Sequence, residues 1–396
     1  MKKKIDMKIF RDFFYFCFLK FYLDIKFFLN NFLNNQKIPI KNFTDYKIKN
    51  SNIFYGYHDK INIKNNILLS HENRGKDFFV GFFDQNKIFN RIRKTSLCSW
   101  QLGSQLQWVD KDIIAFNCEN NNKANSIFYD IKKNKIISSF NQLIYNIDKN
   151  NKRFISLDFN DLYQYRNGYG YNLKKFNNYK KKENLMIVNL NNKKLFYVIE
   201  KNYLIGKFGD LISNKSHFNH ATFSPTGKSI IFFLVDTINQ KRKILVFHFN
   251  LSTKKIILIK EIDKISHYCW INDKKILFTY LKDKNSTDYK IYNIQNKKIK
   301  KIGLNLNLDG HPMIHPKNKN LFVSDTYPNK YGFQKLIVFD LKKKKIVWHT
   351  SLKFSTNFLS GSRCDLHPKW DDTGKKIIID YAIKNQRFIR VYDYLI

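Results

Sequence analysis

One short pattern recurs along the chain and limits its architecture more than any other feature. His220-Ala-Thr-Phe223 precedes Ser-Pro-Thr-Gly and then an apolar run, and His367-Pro-Lys-Trp370 precedes Asp-Asp-Thr-Gly and another. His267-Tyr-Cys-Trp270 and His311-Pro-Met-Ile314 repeat the form, as does Gln105-Leu-Gln-Trp108 with glutamine in the histidine place. His58-Asp-Lys-Ile61 is a looser copy and Ile144-Tyr-Asn-Ile147 a worn one. Most neighbouring markers are separated by roughly 40 to 50 residues, the length of one four-stranded propeller blade. The long interval between Ile144 and His220 holds an insertion, placed at residues 156–182. Seven markers therefore predict an all-β, seven-bladed β-propeller over residues 43–396.

The chain ends supply a second constraint. After Trp370 only two strands fit, Lys376–Tyr381 and Arg387–Tyr394, so the last blade lacks its outermost strand. Phe43–Lys49 has no blade of its own. Pairing it with Arg387–Tyr394 would close the ring and leave no exposed sheet edge.

Ahead of the propeller, residues 1–42 are basic at the start and dense in Phe, Tyr and Leu from Ile9 to Leu33. Arg11, Asp12, Lys20, Asp24 and Lys26 interrupt that run, which excludes a secretory signal and a spanning helix. An N-terminal helical extension with a narrow polar stripe is expected, packed on the main domain or lying in a membrane interface. Five scattered cysteines without a C-x-x-C fit thiols in a reducing compartment. The expected location is cytoplasmic, with a peripheral place at the inner membrane as the role for the N-terminus.

Lys and Arg number 71 against 32 Asp and Glu, a net charge of +39. Such an excess arises either from selection for an anionic partner or from A/T-rich codon usage, which also favours the abundant Asn, Ile, Phe and Tyr. Nucleic acid is a minor reading, because no aromatic RNA-binding motif, helix-turn-helix spacing or zinc-finger spacing is present. No P-loop, G-x-S-x-G, H-E-x-x-H or G-x-G-x-x-G occurs, so no nucleotide cofactor is expected.

The first strand of each propeller blade lines the central channel. The marker residues His58, Gln105, His220, His267, His311 and His367 are therefore expected to converge near one channel mouth. Converging neutral imidazoles, with an amide oxygen, suit a divalent metal such as zinc or manganese. Tyr57, Asp59, His217, Asp309, His315, Asp325, Arg363 and Asp365 lie near markers or strand ends. An arginine fork at Arg363 suits a ligand carboxylate or an internal bond to Asp365. The insertion carries Asp158, Tyr163, Tyr165, Arg166, Tyr169 and Tyr171, a composition suited to stacking on sugar rings and taking their hydroxyls. Tyr57, Asp59, Asp158, Tyr163, Arg166, Tyr169, Asp325 and Asp365 are thus the candidate substrate-binding residues.

At FYGYHDK (54–60), WQLGSQLQW (100–108), LDFNDLYQYRNGYGY (157–171), HFNHATFSPTG (217–227), SHYCW (266–270), DGHP (309–312), SDTYP (324–328) and RCDLHPKW (363–370), the chain resembles the TolB/WD40-like propellers found among bacterial surface-polysaccharide genes. More distantly it is similar to the oligogalacturonate lyase propellers. The second resemblance implies a divalent metal held by His267, His311, His367 and Gln105, with His217 or His220 as base and Arg363 on a uronate carboxylate. Two functions follow: a metal-assisted lyase acting on an acidic glycan, or a non-catalytic propeller that binds acidic or neutral glycan or organises polysaccharide-assembly proteins at the inner membrane.

Overall fold

A computed structural model describes residues 42–394, apart from positions 58, 59, 149, 182, 239, 240, 284, 285 and 307. The expected N-terminal helix, His58 and Asp59 therefore lie outside the described residues. Seven antiparallel sheets follow one another along the chain, making a seven-bladed propeller. Blades 2 to 6 each run from the inner strand outward in sequence order. Blade 4, for example, comprises His217–Phe223, Ser229–Ile238, Lys241–Asn250 and Ile256–Leu258.

Blade 7 is completed by the start of the propeller. Phe43–Tyr46 pairs antiparallel with Gln386–Asp393, Phe43 facing Tyr392 and Tyr46 facing Ile389. Asp45 and Arg390 reinforce the seam with two hydrogen bonds of 2.6 and 2.9 Å. Both ends of the ring are thereby held in one sheet, which closes the ring.

The apolar residue three places after each marker is the anchor of its blade. Trp370, Trp108, Ile147, Ile314, Phe223 and Trp270 are all buried. Each packs between neighbouring sheets, where an aromatic or branched side chain removes the most apolar area from water. The turns after two of them share one geometry. Gly227 (φ 72°) and Gly374 (φ 77°) adopt the left-handed backbone that ends Ser-Pro-Thr-Gly and Asp-Asp-Thr-Gly. Phe223, Trp270 and Ile314 also line a cavity of about 300 Å³ with Lys60, Pro316 and Lys319. The anchors thus mark one end of the channel, and the residues three positions upstream look toward the other.

Two features break the regular pattern. Between strands Arg153–Ser156 and Asn184–Asn189 of blade 3, the chain leaves the sheet and forms helix α1 (Phe159–Tyr165). In blade 1 the inner strand is split: Asn52–Phe54 and Ile63–Lys64 both pair with Ile67–Arg74.

Candidate functional site

In blades 4 and 5 the marker histidine stands where the inner strand loses register. The ladder shifts between Asn219 and Thr222 around His220, and between Ile265 and Tyr268 around His267. In blades 6 and 7, His311 and His367 sit two residues ahead of the short strands Met313–Ile314 and Lys369–Trp370. His220 (φ 46°), His367 (φ 43°) and Gln105 (φ 58°) have left-handed backbone, sparsely populated for residues with a Cβ. Such a break re-aims a side chain and frees a backbone N–H, which must then find another acceptor. His220 N–H donates to Asn219 Oδ1 (2.8 Å) and His267 N–H to Thr279 Oγ1 (3.0 Å). His311 and His367 N–H donate to the two oxygens of one carboxylate, Asp325, at 2.7 and 3.2 Å.

The four imidazoles form a continuous arc across consecutive blades. Ring centroids are 5.7 Å apart for His220–His267, 4.1 Å for His267–His311 and 4.6 Å for His311–His367. Tyr57, delivered by the split strand of blade 1, faces all of them at 5.0 to 5.5 Å. Tyr327 closes one flank, 5.6 Å from His311 and 6.4 Å from His267. All four histidines are buried.

Burial pushes His220 and His367 well below the usual imidazole range, and neighbouring positive charge adds to this. His267 is lowered as well, by burial and then by His311, against the pull of Asp309. Asp309 approaches His267 Nδ1 at 3.5 Å, a charge contact rather than a hydrogen bond. His311 differs. Burial would lower it, but Asp325 lies 2.9 Å from its Nδ1 and holds it above the usual value, with Asp365 and Asp309 assisting. Asp325 thereby fixes the Nδ1–H tautomer and leaves Nε2 as the lone-pair donor.

His311, Asp365 and His367 are all buried and offer ligand atoms within 4.8 Å of one another. Both ring nitrogens of His367 and both polar atoms of the Gln105 side chain are buried without a protein partner. Each such atom costs about 1–3 kcal/mol unless something satisfies it. Neutral imidazoles beside a carboxylate are the donor set of a borderline divalent cation, and Asp325 on His311 Nδ1 is the orienting contact that metal-bound histidines commonly have. The residues present therefore fit such an ion.

Other sequence-selected residues fall into separate places. His217 is not in the arc. It lies beside the mouth under Tyr165 of α1, the two rings stacked at 5.2 Å and 16°. Both of its ring nitrogens are buried without a partner, and its pKa is lowered to about 3 by burial, then by Arg166 and Arg242. Arg166 stacks on Tyr169 at 3.9 Å, and its Nη1 is buried without a partner. Tyr163 and Tyr165 are exposed on α1.

Arg363 takes the second of its two expected roles: its fork grips Asp365 with bonds of 2.6 to 2.9 Å because the two side chains flank one turn on the same side. Two expectations change. Asp325 was expected to bind substrate, yet it is fully buried and its oxygens are taken up by His311 and His367. Asp158 instead caps α1, accepting from Asn160 N at 2.8 Å, and also accepts from the Tyr179 hydroxyl at 3.1 Å. His315 lies with the anchors, edge-on to Trp370 at 4.7 Å and bonded to Gly374 O.

One candidate residue escaped the sequence reading. Arg242, on the blade 4 hairpin, is reached by solvent yet sits among enough protein that burial and the nearby Arg166 lower its pKa to about 10. Tyr169, Tyr327 and Asp309 are its other electrostatic neighbours. Neither Arg166 nor Arg242 has a carboxylate within ion-pair distance among the described residues. Two like charges that feel each other in this way suit an anionic ligand. In the sequence Arg242 is one cation in Lys-Arg-Lys, with nothing to single it out.

The sequence matches no protein-family profile and no curated protein. The fold does have relatives among solved structures. An oligogalacturonate lyase in complex with manganese superposes with a TM-score of 0.63 at 12% identity, covering 91% of this chain and 96% of that one. An oligogalacturonate lyase from Vibrio parahaemolyticus gives 0.63 and 12%, over 91% and 94%. Hydrazine synthase from Kuenenia stuttgartiensis gives 0.52 and 11%, over 90% and 98%. At these identities the likeness is one of fold: this chain is built as those propellers are.

Proposed function

We propose that the protein is a metal-assisted lyase that cleaves uronate-containing glycan by β-elimination. The observation that carries this reading is a buried four-imidazole arc with Arg166 and Arg242 close enough to depress His220, neither arginine having a carboxylate within ion-pair distance among the described residues. The manganese in one of the similar propellers supports it. His267, His311, His367 and Asp365 would hold the ion, with Gln105 as the further donor the sequence suggests. When bound, a divalent cation draws charge from the uronate carboxylate and so acidifies the neighbouring C–H.

The remaining tasks fall to the chain itself. Arg166 and Arg242 bind the carboxylate, and Tyr169 and Tyr327 provide ring faces for the sugar. His217 removes the proton on the carbon next to the carboxylate. That electron pair forms the new C=C bond, and the glycosidic C–O bond one carbon further on breaks with its electrons leaving on oxygen. Free His217 is neutral but weakly basic, because burial and the two arginines depress it. A bound carboxylate offsets those arginines and raises its basicity, so base strength develops only with the correct substrate in place.

The test is to mix the manganese-loaded protein with oligomers of galacturonate, glucuronate or mannuronate and follow the ultraviolet absorbance of the unsaturated product. His217→Ala and His367→Ala should abolish it. Glycan binding without product by the wild-type protein would refute the lyase reading and favour the non-catalytic glycan-binding alternative.

A further inference from the structure

The residue that touches every imidazole of the arc lies just beyond strand Asn52–Phe54, and blade 7 together with the connection between blades 1 and 2 holds its backbone still. Asp380 of blade 7 accepts from Tyr55 N and from Gly56 N, both at 2.9 Å, one through each carboxylate oxygen. Lys369 Nζ, also of blade 7, donates to Gly56 O at 2.9 Å and to His367 O at 2.9 Å. From the connection between blades 1 and 2, Gln101 O accepts from Tyr57 N. Gly56 has φ 92°, and a Cβ there would come within 2.9–3.0 Å of the backbone of Gln101, Leu102 and Gly103.

Behind Asp380 stands Arg387, wholly buried, its Nη2 3.7 Å from the carboxylate. Its guanidinium is surrounded by the rings of Phe54, Trp100 and Phe358 at 4.9 to 5.8 Å. A buried charge pair of this kind is often no better for stability than apolar residues of the same size. A buried Lys whose ammonium bonds to two carbonyls belonging to different blades is likewise costly to desolvate. What both achieve is geometric: the Tyr55, Gly56 and Tyr57 N–H groups and the Gly56 carbonyl each meet a fixed partner.

We propose that Asp380 and Lys369 are positioning residues that clamp Gly56 and so hold Tyr57 as a rigid wall against the imidazole arc. Lys369 links the two sides of the site directly, because the same ammonium binds the carbonyl behind Tyr57 and the carbonyl of His367. Neither residue touches the substrate. Both fix the spacing between Tyr57 and the histidines, since Tyr57 lies beyond the end of strand Asn52–Phe54. The consequence for metal rests on the proposed reading of the site; the clamp itself does not.

The test places 3-fluorotyrosine at position 57 of the full-length protein and records its fluorine resonance without metal. The wild-type protein should give one resonance displaced from the free amino acid by the surrounding rings. Lys369→Met should move it toward the free value or split it, and Asp380→Asn should do the same. If Asp380→Asn unfolds because Arg387 loses its counter-charge, the Lys369 variant decides alone, since it leaves that pair intact. An unchanged resonance in folded Lys369→Met overturns the proposal.

A manganese titration then separates the clamp from the metal reading. Lys369→Met should weaken manganese roughly tenfold, as outer contacts to metal ligands typically do, and should have no further effect in a Tyr57→Leu background. Full additivity of the two substitutions counts against the clamp. Failure of the wild type to bind manganese removes the metal site while the fluorine result still stands.

Discussion

Lowering the pH from 7.5 to 5.5 should remove most of the stability of the metal-free protein, because it buries imidazoles in the neutral form. His71 and His217 are lowered to about 3 and His248 to about 4, and His220 and His367 lie well below the usual value. In each case burial is the main cause. A group whose folded pKa is depressed binds its proton more readily in the unfolded chain. Its contribution to stability is therefore complete above the unfolded value of 6.5 and is lost as the pH falls from there toward the folded value. At pH 5.5, one unit below 6.5, each such histidine costs about 1.4 kcal/mol. Five together come to about 7 kcal/mol, comparable with the whole stability of an ordinary domain. His311 opposes this, since its raised pKa makes protonation favour the folded state over the same interval. Urea unfolding at pH 7.5, 6.5 and 5.5 reads the effect as a falling midpoint. The slope of unfolding free energy against pH should approach four to five protons, and His71→Gln, remote from the arc, should reduce it by about one. A midpoint constant over this range would refute the reasoning, since neutral buried imidazoles cannot be insensitive to acid.

Three further outcomes follow from contacts at the site and in the ring. Asp325→Asn keeps the volume but cannot hold the His311 tautomer as a carboxylate does, so manganese affinity should fall roughly 10- to 100-fold by titration calorimetry. Arg242→Gln should weaken binding of a uronate oligomer about tenfold or more, the worth of a charged hydrogen bond, and leave a neutral oligosaccharide unaffected in the same assay. Trp370→Ala empties a wholly buried site in the closing blade and leaves Met313 O without its indole donor, so urea unfolding at pH 7.5 should show a loss of about 3–5 kcal/mol.

The described residues contain no helix long and apolar enough to cross a membrane. The basic, aromatic segment at residues 1–42 keeps its two sequence readings. Liposome flotation of the full chain against one starting at Lys41 distinguishes them, with equal flotation excluding an anchor.

The sequence by itself determined the ring. A marker, a turn and a buried run repeated seven times leave few alternatives to a propeller, because each blade must bury the faces of its sheet against its neighbours. The same repeat identified the anchors, such as Trp108 and Trp370, and the convergence of His220, His267, His311 and His367, since equivalent positions in a closed ring become neighbours whatever their distance in sequence. The tertiary structure alone decided which charges are already engaged. Arg363 could serve a ligand or Asp365 until the two side chains are seen to grip each other, and Asp325 could serve a substrate until it is found beneath two histidines. Arg242 and the clamp on Tyr57 left no mark at all, because they depend on contacts between blades. Periodicity reports which residues share a position; whether a charge is neutralised depends on a few ångströms between groups that no repeat relates.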